Sequence, residues 1–383
     1  MVTNKEFGVT RIHRPFFKKG INGGKDYEGE EELKTTENSE LGTLFYGSSG
    51  TFINRVLTKA LDSMSVVEFY VLIRKIEAAY MRVSTSYDIR ESFKEPEACK
   101  AWMKRETDWT MPRVRRGKDV EHVSILGNLE EFGVLENPKR FDCAVSKEYA
   151  NKRPAVVEFG AGSECMAQVL AHCYGIQKML LVDQESDLYK LKADERVREK
   201  ESMLILERLR IDIEHLDLNA VEFLKGVPYL AIGNHLCGSA TDLTLRCCLP
   251  KQTTEDVPVE NTCNLRGLAI ATCCHHLCQW KHYQNKRYLS DLGFKKDDFH
   301  LMSLLTIWDD NPDHSLDLSN IVDERNLFSG KKSSGQVING VNEFVDNMTV
   351  AEAAGIGFKC KVIIDMGRLL WVKQLRGLHS RAC

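Results

Sequence analysis

Short apolar runs separated by longer amphipathic or polar segments predict an α/β protein. Five runs have the length of strands, at positions 155–159, 178–182, 209–213, 227–233 and 267–272. The intervening segments include an apolar stretch at 166–174 and a charged stretch at 186–206, both of helical length. Strands that alternate with helices pair in parallel and carry helices on both faces. We therefore expect a doubly wound, mostly parallel sheet.

The first two strands enclose a glycine turn. Gly160-Ala161-Gly162 follows the first strand, and Asp183 ends the second. In nucleotide-binding βαβ units the backbone of such a turn passes close under the ligand, and the acid accepts hydrogen bonds from ribose hydroxyls. A dinucleotide fingerprint would place a third glycine where Cys165 stands. The pattern therefore favours a nucleoside-type ligand without a pyrophosphate, and an α/β turn without any ligand remains the alternative.

The remainder of the chain predicts two regions. Residues 1–50 are mixed in polarity and mostly irregular, and 51–82 have apolar residues at the spacing of two helices. We expect a partly helical N-terminal region over 1–118 and a catalytic domain over 119–383. Polar insertions near 251–264 and 309–348 interrupt this domain, and 349–375 is helical in character.

Composition narrows the class of protein. The 383 residues include 13 cysteines and carry a formal net charge of −3, with no signal peptide and no run of 18 apolar residues. We expect an intracellular enzyme, cytoplasmic or nuclear, that does not contact membranes. Its cysteines are then reduced, metal-bound or reactive rather than paired in disulfides.

One segment combines positive charge with aromatic residues. Positions 100–118 hold seven Lys or Arg and two acids, with Trp102 and Trp109 between them. Such a segment can hold an RNA backbone through its phosphates, here chiefly with Arg113, Arg115 and Arg116. A solvated helix face with anchoring tryptophans explains the pattern equally well.

Two strand ends carry unusual loops. NHLCGSATD occupies 234–242, and CCHHLCQW occupies 273–280. Both loops should face the glycine turn, because ligands bind beyond the carboxyl ends of parallel strands. Three Cys and two His within 273–278 suggest zinc, but zinc ligands are usually separated pairs and adjacent side chains point to opposite sides. We therefore expect buried thiols and no tightly held metal, with a cysteine nucleophile as an alternative.

These motifs resemble a known family. VVEFGAG, LVDQES, RLRIDIEHLDLN, GNHLCGSATDLTLRC and ATCCHHLCQWKHY are similar to successive motifs of the eukaryotic tRNA 2′-O-methyltransferases that modify nucleotide 4 of the acceptor stem (tRNA:m4X modification enzymes). The similarity covers about 123–375. It implies a Rossmann-like, class I adenosylmethionine-dependent methyltransferase that acts on tRNA, and we infer no obligate protein partner.

The resemblance assigns roles to single residues. The expected adenosylmethionine contacts are Glu158, Gly160 and Gly162 at the methionine end, Asp183 at the ribose and Asp212 at the adenine. The expected catalytic residues are His235, His275 and Asp242, with either imidazole as the proton acceptor. The expected tRNA contacts are Cys237, Cys274 and His276, in addition to the three arginines of the basic segment.

The chain also departs from the family pattern. Ser163-Glu164-Cys165 replaces a lysine-bearing turn, Asn234 replaces a lysine, and Leu277 and Gln279 replace an arginine and an aspartate. The family pattern also has Cys/His zinc modules ahead of this region and a strand after its last helix, and we recognise neither here. We therefore expect a copy that is divergent or truncated at both ends. The rival hypothesis is a tRNA-binding relative that keeps the fold and has weak or no activity.

Overall fold

A five-stranded parallel sheet organises the protein. The computed structural model describes residues 9–11, 50–87, 89–91, 93–105, 113–136, 153–162, 166–185, 187–249, 264–310 and 340–379. The sheet strands are β3 (Ala155–Phe159), β4 (Lys178–Asp183), β5 (Ile205–Arg210), β6 (Tyr229–Cys237) and β7 (Leu265–Cys273). A separate parallel pair joins β1 (Val9–Arg11) to β2 (Ile89–Glu91).

The strand order identifies the switch point of the sheet, where a ligand is expected to bind. The order is β5-β4-β3-β6-β7, and every neighbouring pair is parallel. The direction of winding reverses between β3 and β6, and ligands of open α/β sheets bind at such a switch point. The α/β fold with an all-parallel sheet confirms the prediction from the hydrophobic pattern.

Three strand boundaries differ from the predicted ones. The third strand covers Ile205–Arg210 rather than 209–213, because it lies at the sheet edge and alternates exposed with buried positions instead of forming an apolar run. The fourth strand continues to Cys237 through an irregularity between Gly233 and Leu236. Pairing with this longer strand extends the fifth strand to Leu265–Cys273.

Helices cover both faces of the sheet and one end of the molecule. They are α1 (Gly50–Asp62), α2 (Val66–Ser86), α3 (Lys100–Arg105), α4 (Arg113–Glu131), α5 (Ala167–Tyr174), α6 (Leu188–Lys200), α7 (Ser239–Cys248), α8 (Lys286–Asp291), α9 (Lys296–Leu305), α10 (Val341–Asp346) and α11 (Val350–His379). Single 3₁₀ turns form at Glu97–Cys99, Ile213–His215, Leu218–Ala220, Glu222–Leu224, His275–Leu277 and Thr306–Asp310. Within the described ranges, no helix combines the length and hydropathy needed to cross a membrane.

The two helices predicted over 51–82 are confirmed as α1 and α2. A capping box fixes the start of α2, since Ser65 Oγ accepts from the Glu68 amide at 3.2 Å and the Ser65 amide donates to Glu68 Oε2 at 2.9 Å. The buried face of α2 includes Phe69 and Ile76 at helical spacing. The charged helix α6 is shorter than the predicted 186–206. It ends at Lys200, and the edge strand β5 begins at Ile205, inside the predicted helix.

Alternate residues of the central strand enter two different cores. Val156 packs with α4, α5 and α6, whereas Val157 packs with α7 and the end of α11. A third core joins α1 and α2 to α9, α10 and α11, for example through Phe69, Phe299 and Ile356. The N-terminal helices thus share a core with the C-terminal region, and the predicted boundary at 118/119 falls inside α4.

The polar insertions lie largely outside the described residues. Their described parts include residues 309–310, at the end of the 3₁₀ turn Thr306–Asp310, and helix α10. The helical character predicted for 349–375 is confirmed by α11, which extends from Val350 to His379.

Candidate active site at the strand ends

The glycine turn after β3 lies close to a side chain of the neighbouring strand β6. Gly160 has φ +64°, and a Cβ there would lie 3.0 Å from Leu236 Cδ2 of β6. The turn is tied to its neighbours because the Ala161 amide donates to Val182 O at 3.1 Å. Among the described residues, a Cβ on Gly162 would meet no atom within 4 Å. Protein packing therefore does not explain the second glycine, and open space is what a bound ligand would need there.

Glu158 lies beneath this turn. Its side chain is 3% exposed, and both carboxylate oxygens accept from the Met166 amide, at 3.0 and 3.2 Å. Burial raises the pKa of Glu158 to about 8, although this hydrogen bond and the charge of Arg208 oppose the rise. The residue therefore closes the turn from below at the start of α5.

Arg208 holds the turn from the β5 side. Its guanidinium donates to Ala161 O at 2.5 Å and to Gly162 O at 3.1 Å. The same group makes two hydrogen bonds to the buried Asp194 carboxylate, at 2.7 and 2.8 Å. This bidentate pair fixes the guanidinium, so the carbonyls of the turn are held by a preorganised cation. The sequence analysis missed both charged residues.

Asp183 and Asp212 follow adjacent strands. Asp183 Oδ1 accepts from the Glu185 amide at 3.1 Å, and its Oδ2 lies 3.1 Å from Lys190 Nζ. Asp212 Oδ1 accepts from the Glu214 amide at 2.8 Å and starts a 3₁₀ turn. Both carboxylates are therefore oriented by local backbone donors at the carboxyl edge of the sheet. Together with the open space at Gly162, they fit a nucleoside ligand.

His235 occupies the irregular part of β6. Its φ of 56° is left-handed, and this conformation is uncommon for a residue with a Cβ. The imidazole Nε2 lies 2.8 Å from Glu121 Oε2, and the side chain is 39% exposed. An accessible imidazole with a carboxylate on one nitrogen has the arrangement of a general base and its orienting group.

The loops after β6 and β7 are locked together. Gly238 has φ +52°, and a Cβ there would lie 2.5 Å from the backbone carbon of Leu277. Its amide donates to Cys273 O at 3.1 Å. Ser239 Oγ donates to Leu277 O at 3.2 Å and accepts from the Gln279 amide at 3.1 Å. Backbone and side-chain contacts therefore join the two loops predicted from the sequence into one continuous surface.

A buried ionic network supports these loops from α11. Arg368 donates to Asp242 Oδ2, to Gly238 O and, at 2.8 Å, to Asp365 Oδ1. Asp365 Oδ2 lies 2.8 Å from His275 Nε2 and accepts from Thr272 Oγ1 at 2.9 Å. Burial alone would raise the pKa of Asp365, but the charges of His275 and Arg368 hold it below its usual range. Asp242 is 1% exposed and His275 is 4% exposed, so both are enclosed in this network.

Three thiols meet beside this network. The Sγ atoms of Cys237, Cys273 and Cys274 all lie within 4.8 Å of one another, and Cys237 Sγ and Cys273 Sγ are 3.1 Å apart. Hydrogen bonds from the other two thiols hold the pKa of Cys274 below its usual range, and the charges of His276 and His275 add to this effect. The pKa of Cys273 is raised by its hydrogen bonds to the other two thiols and by burial.

The chain also matches a family of known proteins. The family model described as Methyltransferase TRM13 matches residues 120–382. The chain belongs to the TRM13 methyltransferase family. The proteins named tRNA:m(4)X modification enzyme TRM13 homolog from Mus musculus and Homo sapiens are each 31% identical over 301 residues. In both cases the match covers 66% of this chain and 58% of the relative.

A fungal relative matches over a similar span. The tRNA:m(4)X modification enzyme TRM13 of Schizosaccharomyces pombe is 28% identical over 265 residues, which is 66% of this chain and 59% of that protein. The chain thus spans somewhat less than two thirds of these TRM13 relatives. No solved structure matches it.

The predicted site residues lie at the carboxyl edge of the sheet, in two groups on either side of the switch point. On one side, Gly160 and Gly162 follow β3, Asp183 ends β4 and Asp212 follows β5. The other side consists of residues at the end of β6 and after β6 and β7: His235, Cys237, Asp242, Cys274, His275 and His276. Glu158 lies under the turn rather than on its open side. Asp242 is bonded to Arg368 inside the protein.

The RNA-contact residues predicted for this TRM13 chain are only partly described. Arg113, Arg115 and Arg116 belong to α4, and their side chains lie outside the described residues, as does Trp109. Trp102 is buried in the core and tilts against His172 with ring centroids 5.3 Å apart. Trp102 is therefore an anchoring residue, as the alternative interpretation of the basic segment stated.

Proposed function

We propose that this chain is an adenosylmethionine-dependent tRNA 2′-O-methyltransferase that modifies the ribose of nucleotide 4 in the acceptor stem. Membership of the TRM13 family and the names of the relatives support a tRNA modification enzyme. The observation that carries the proposal is the placement of Asp183 and His235 on the same sheet edge, either side of the Gly160 turn. The fold is then a Rossmann-like class I methyltransferase.

The donor side would use the residues after β3, β4 and β5. Asp183 would hold the ribose hydroxyls of adenosylmethionine, and Asp212 would border the adenine. Gly160 and Gly162 would let the methionine end approach the backbone, which Arg208 keeps in place through the turn carbonyls. When bound, this cofactor supplies a methyl group on a sulfonium. Glu158 would act indirectly, because its carboxylate is occupied by the Met166 amide.

The acceptor side would need a proton acceptor for the ribose 2′-hydroxyl. His235 fits this role because its imidazole is accessible and Glu121 faces its Nε2. If Nε2–H donates to this carboxylate, Nδ1 keeps a lone pair and can take the hydroxyl proton. The Glu121 carboxylate then stabilises the imidazolium that forms.

His275 and Asp242 would position the acceptor loops. His275 is held by Asp365, and Asp242 is held by Arg368, behind the surface that Cys237, Cys274 and His276 present to the tRNA. Preorganised loops of this kind place a hydroxyl in line with a methyl donor. Neither enclosed group has to leave the network for this role.

Binding of tRNA would depend on local positive charge. The overall charge is −3, so phosphates must be met by patches such as Arg113, Arg115 and Arg116 at the start of α4. Lys281 and Arg287 are exposed near the acceptor loops and would extend this contact. Double-stranded RNA would be met at its phosphates and shallow minor groove.

One observation favours a second candidate, a tRNA-binding relative without methyl transfer. The Asp183 carboxylate already lies 3.1 Å from Lys190 Nζ and 3.8 Å from Arg208 Nη1. A ribose would have to share this carboxylate with two cations. Asn234 also stands where the family pattern has a lysine.

Incubation with labelled adenosylmethionine and unmodified tRNA, followed by nucleoside mapping, separates the two candidates. We expect one 2′-O-methylated nucleoside, at nucleotide 4, and strongly reduced methylation with His235→Asn. Binding of tRNA without label transfer would support the second candidate. A label on a base instead of a ribose would contradict the proposed reaction.

A further inference from the structure

Three cysteine thiols from two strand ends converge at one half-buried point. Cys237 ends β6, Cys273 ends β7, and Cys274 follows at the start of the 3₁₀ turn. Cys237 and Cys273 are also register partners in the sheet. Their Sγ atoms and that of Cys274 lie within 4.8 Å of one another. The position is therefore set by the sheet rather than by one flexible loop.

The backbone of Cys274 produces this convergence. Successive side chains of an extended chain point to opposite sides, so the sequence predicts that the neighbouring thiols diverge. Cys274 instead has φ 46° and ψ 48°, in the left-handed region, and its Sγ joins the same group as that of Cys273. The expectation that adjacent thiols point to opposite sides is therefore wrong for Cys273 and Cys274. A left-handed residue with a Cβ costs on the order of 1 kcal/mol and is retained mainly where function requires it.

We propose that Cys237, Cys273 and Cys274 bind a thiophilic divalent cation of the Zn²⁺ class. Zinc–sulfur bonds of about 2.3 Å place the sulfurs of a tetrahedral site about 3.8 Å apart. One pair of sulfurs is 3.1 Å apart and no pair of the three exceeds 4.8 Å, so each separation lies within about 1 Å of this value. Binding therefore requires side-chain shifts of less than about 1 Å. Three protein ligands leave the fourth position for water or a further donor.

The number of thiols distinguishes this site from a disulfide. A disulfide would join Cys237 to Cys273 and leave the third thiol without a function in the cluster. A cation uses all three, and it also explains the left-handed residue. The inference rests on these thiols alone and does not depend on the proposed methyl transfer.

The test uses the full chain, purified under reducing and anaerobic conditions and titrated with Co²⁺. We expect one Co²⁺ to bind with a near-ultraviolet sulfur-to-cobalt charge-transfer band, and Zn²⁺ to displace it. Cys237→Ser, Cys273→Ser and Cys274→Ser should each weaken binding at least tenfold. Cys247→Ser is the matched control, because this half-buried thiol of α7 donates to Leu216 O at 3.4 Å, outside the cluster.

A second measurement covers variants that fail to fold. Bound Zn²⁺ should protect the three clustered thiols of the unaltered chain from alkylation, as located by mass spectrometry, and should leave Cys247 as reactive as before. Absence of the charge-transfer band would overturn the proposal. Equal protection of all thiols, or a Cys237–Cys273 disulfide in a chain that takes up no Co²⁺, would do the same.

Discussion

Arg368 Nη2 lies 2.5 Å from Asp242 Oδ2, and Nε of the same guanidinium lies 3.1 Å from that oxygen. The two residues are 126 positions apart in sequence and belong to α11 and α7. Both are at least 95% buried, so water does not screen the pair. The ion pair therefore fastens the last described helix to the loop that carries the predicted acceptor residues.

Removal of this cation should destabilise the protein. Arg368→Met leaves the Asp242 carboxylate buried without its partner, and we expect a loss of about 3–5 kcal/mol in the free energy of unfolding. Urea denaturation measures this loss. Arg287→Met is the control, because that side chain is 92% exposed and its nearest acid is 4.0 Å away. Equal losses in the two variants would show that the buried pair contributes little.

Glu158 predicts a specific pH dependence of stability. Its folded pKa of about 8 exceeds the ordinary value of 4.5, so the folded protein holds this proton more tightly than the unfolded chain. The resulting stability is complete below about pH 4.5 and is lost as the pH rises through about 8. Glu158→Gln keeps an acceptor for the Met166 amide and does not titrate.

The variant should therefore gain stability relative to the unaltered protein as the pH rises from about 4.5 to about 8, by up to about 1.4 kcal/mol per pH unit. Urea denaturation at a series of pH values tests this. Glu185→Gln, which alters an exposed acid just after the neighbouring strand β4, should show no such trend. A pH-independent difference for Glu158→Gln would mean that the carboxyl has an ordinary pKa.

His235→Asn tests the proposed proton acceptor. Asparagine tolerates the left-handed backbone of this position, so the fold should survive. We expect kcat for tRNA methylation to fall by about 10²–10⁴-fold with little change in the Kd for tRNA. His300→Asn, on the exposed face of α9, provides the control. An unchanged single-turnover rate would assign proton transfer to another group.

Asp183→Ala tests the proposed ribose contact. Loss of a charge-assisted hydrogen bond should weaken adenosylmethionine binding by about 1–3 kcal/mol. Calorimetry measures this change, with Glu185→Ala as the neighbouring control. Unchanged affinity would place the ligand elsewhere on the protein.

Replacement of Arg113, Arg115 and Arg116 together by alanine tests the RNA patch. Each lost phosphate contact should reduce the salt dependence of tRNA binding by about one unit, so the slope should flatten by about two to three units. Filter binding across a salt series measures the slope. A triple alanine variant of Lys192, Arg196 and Lys200 on α6 removes the same charge from another exposed surface. A slope equal to that of the unaltered protein would identify the arginines as a solvated face.

The parallel sheet was predictable because its central strands are buried on both faces. Ala155–Phe159 contains five buried positions in succession, and four of them are apolar, as burial on both faces favours; the exception is Glu158. The edge strand β5 has exposed positions and does not need to be apolar throughout. Its sequence ILERLR therefore forms no apolar run, and its predicted bounds were wrong by a few residues. Hydrophobic periodicity therefore located the centre of the sheet better than its edge.

The supporting network was not predictable from local pattern, because its members come from distant segments. Arg368 joins Asp242 and Asp365 only after α11 has packed on the sheet. The available signal was an acid and an arginine three residues apart in the otherwise apolar stretch IIDMGRLL. Opposite charges on a buried helix face demand partners, although their identity depends on tertiary structure.

The core that joins α1 and α2 to α9, α10 and α11 also sets an order of events during synthesis. Ala79 is the last buried residue of α1 and α2 in this core, and it precedes Phe299 by 220 residues. The apolar faces of these two helices therefore leave the ribosome at least 220 residues before Phe299. At typical translation rates of about 5–20 residues per second, these faces wait about 10 s or longer for their native partners. During that interval Phe69 and Ile76 depend on chaperones or transient contacts for shielding from water.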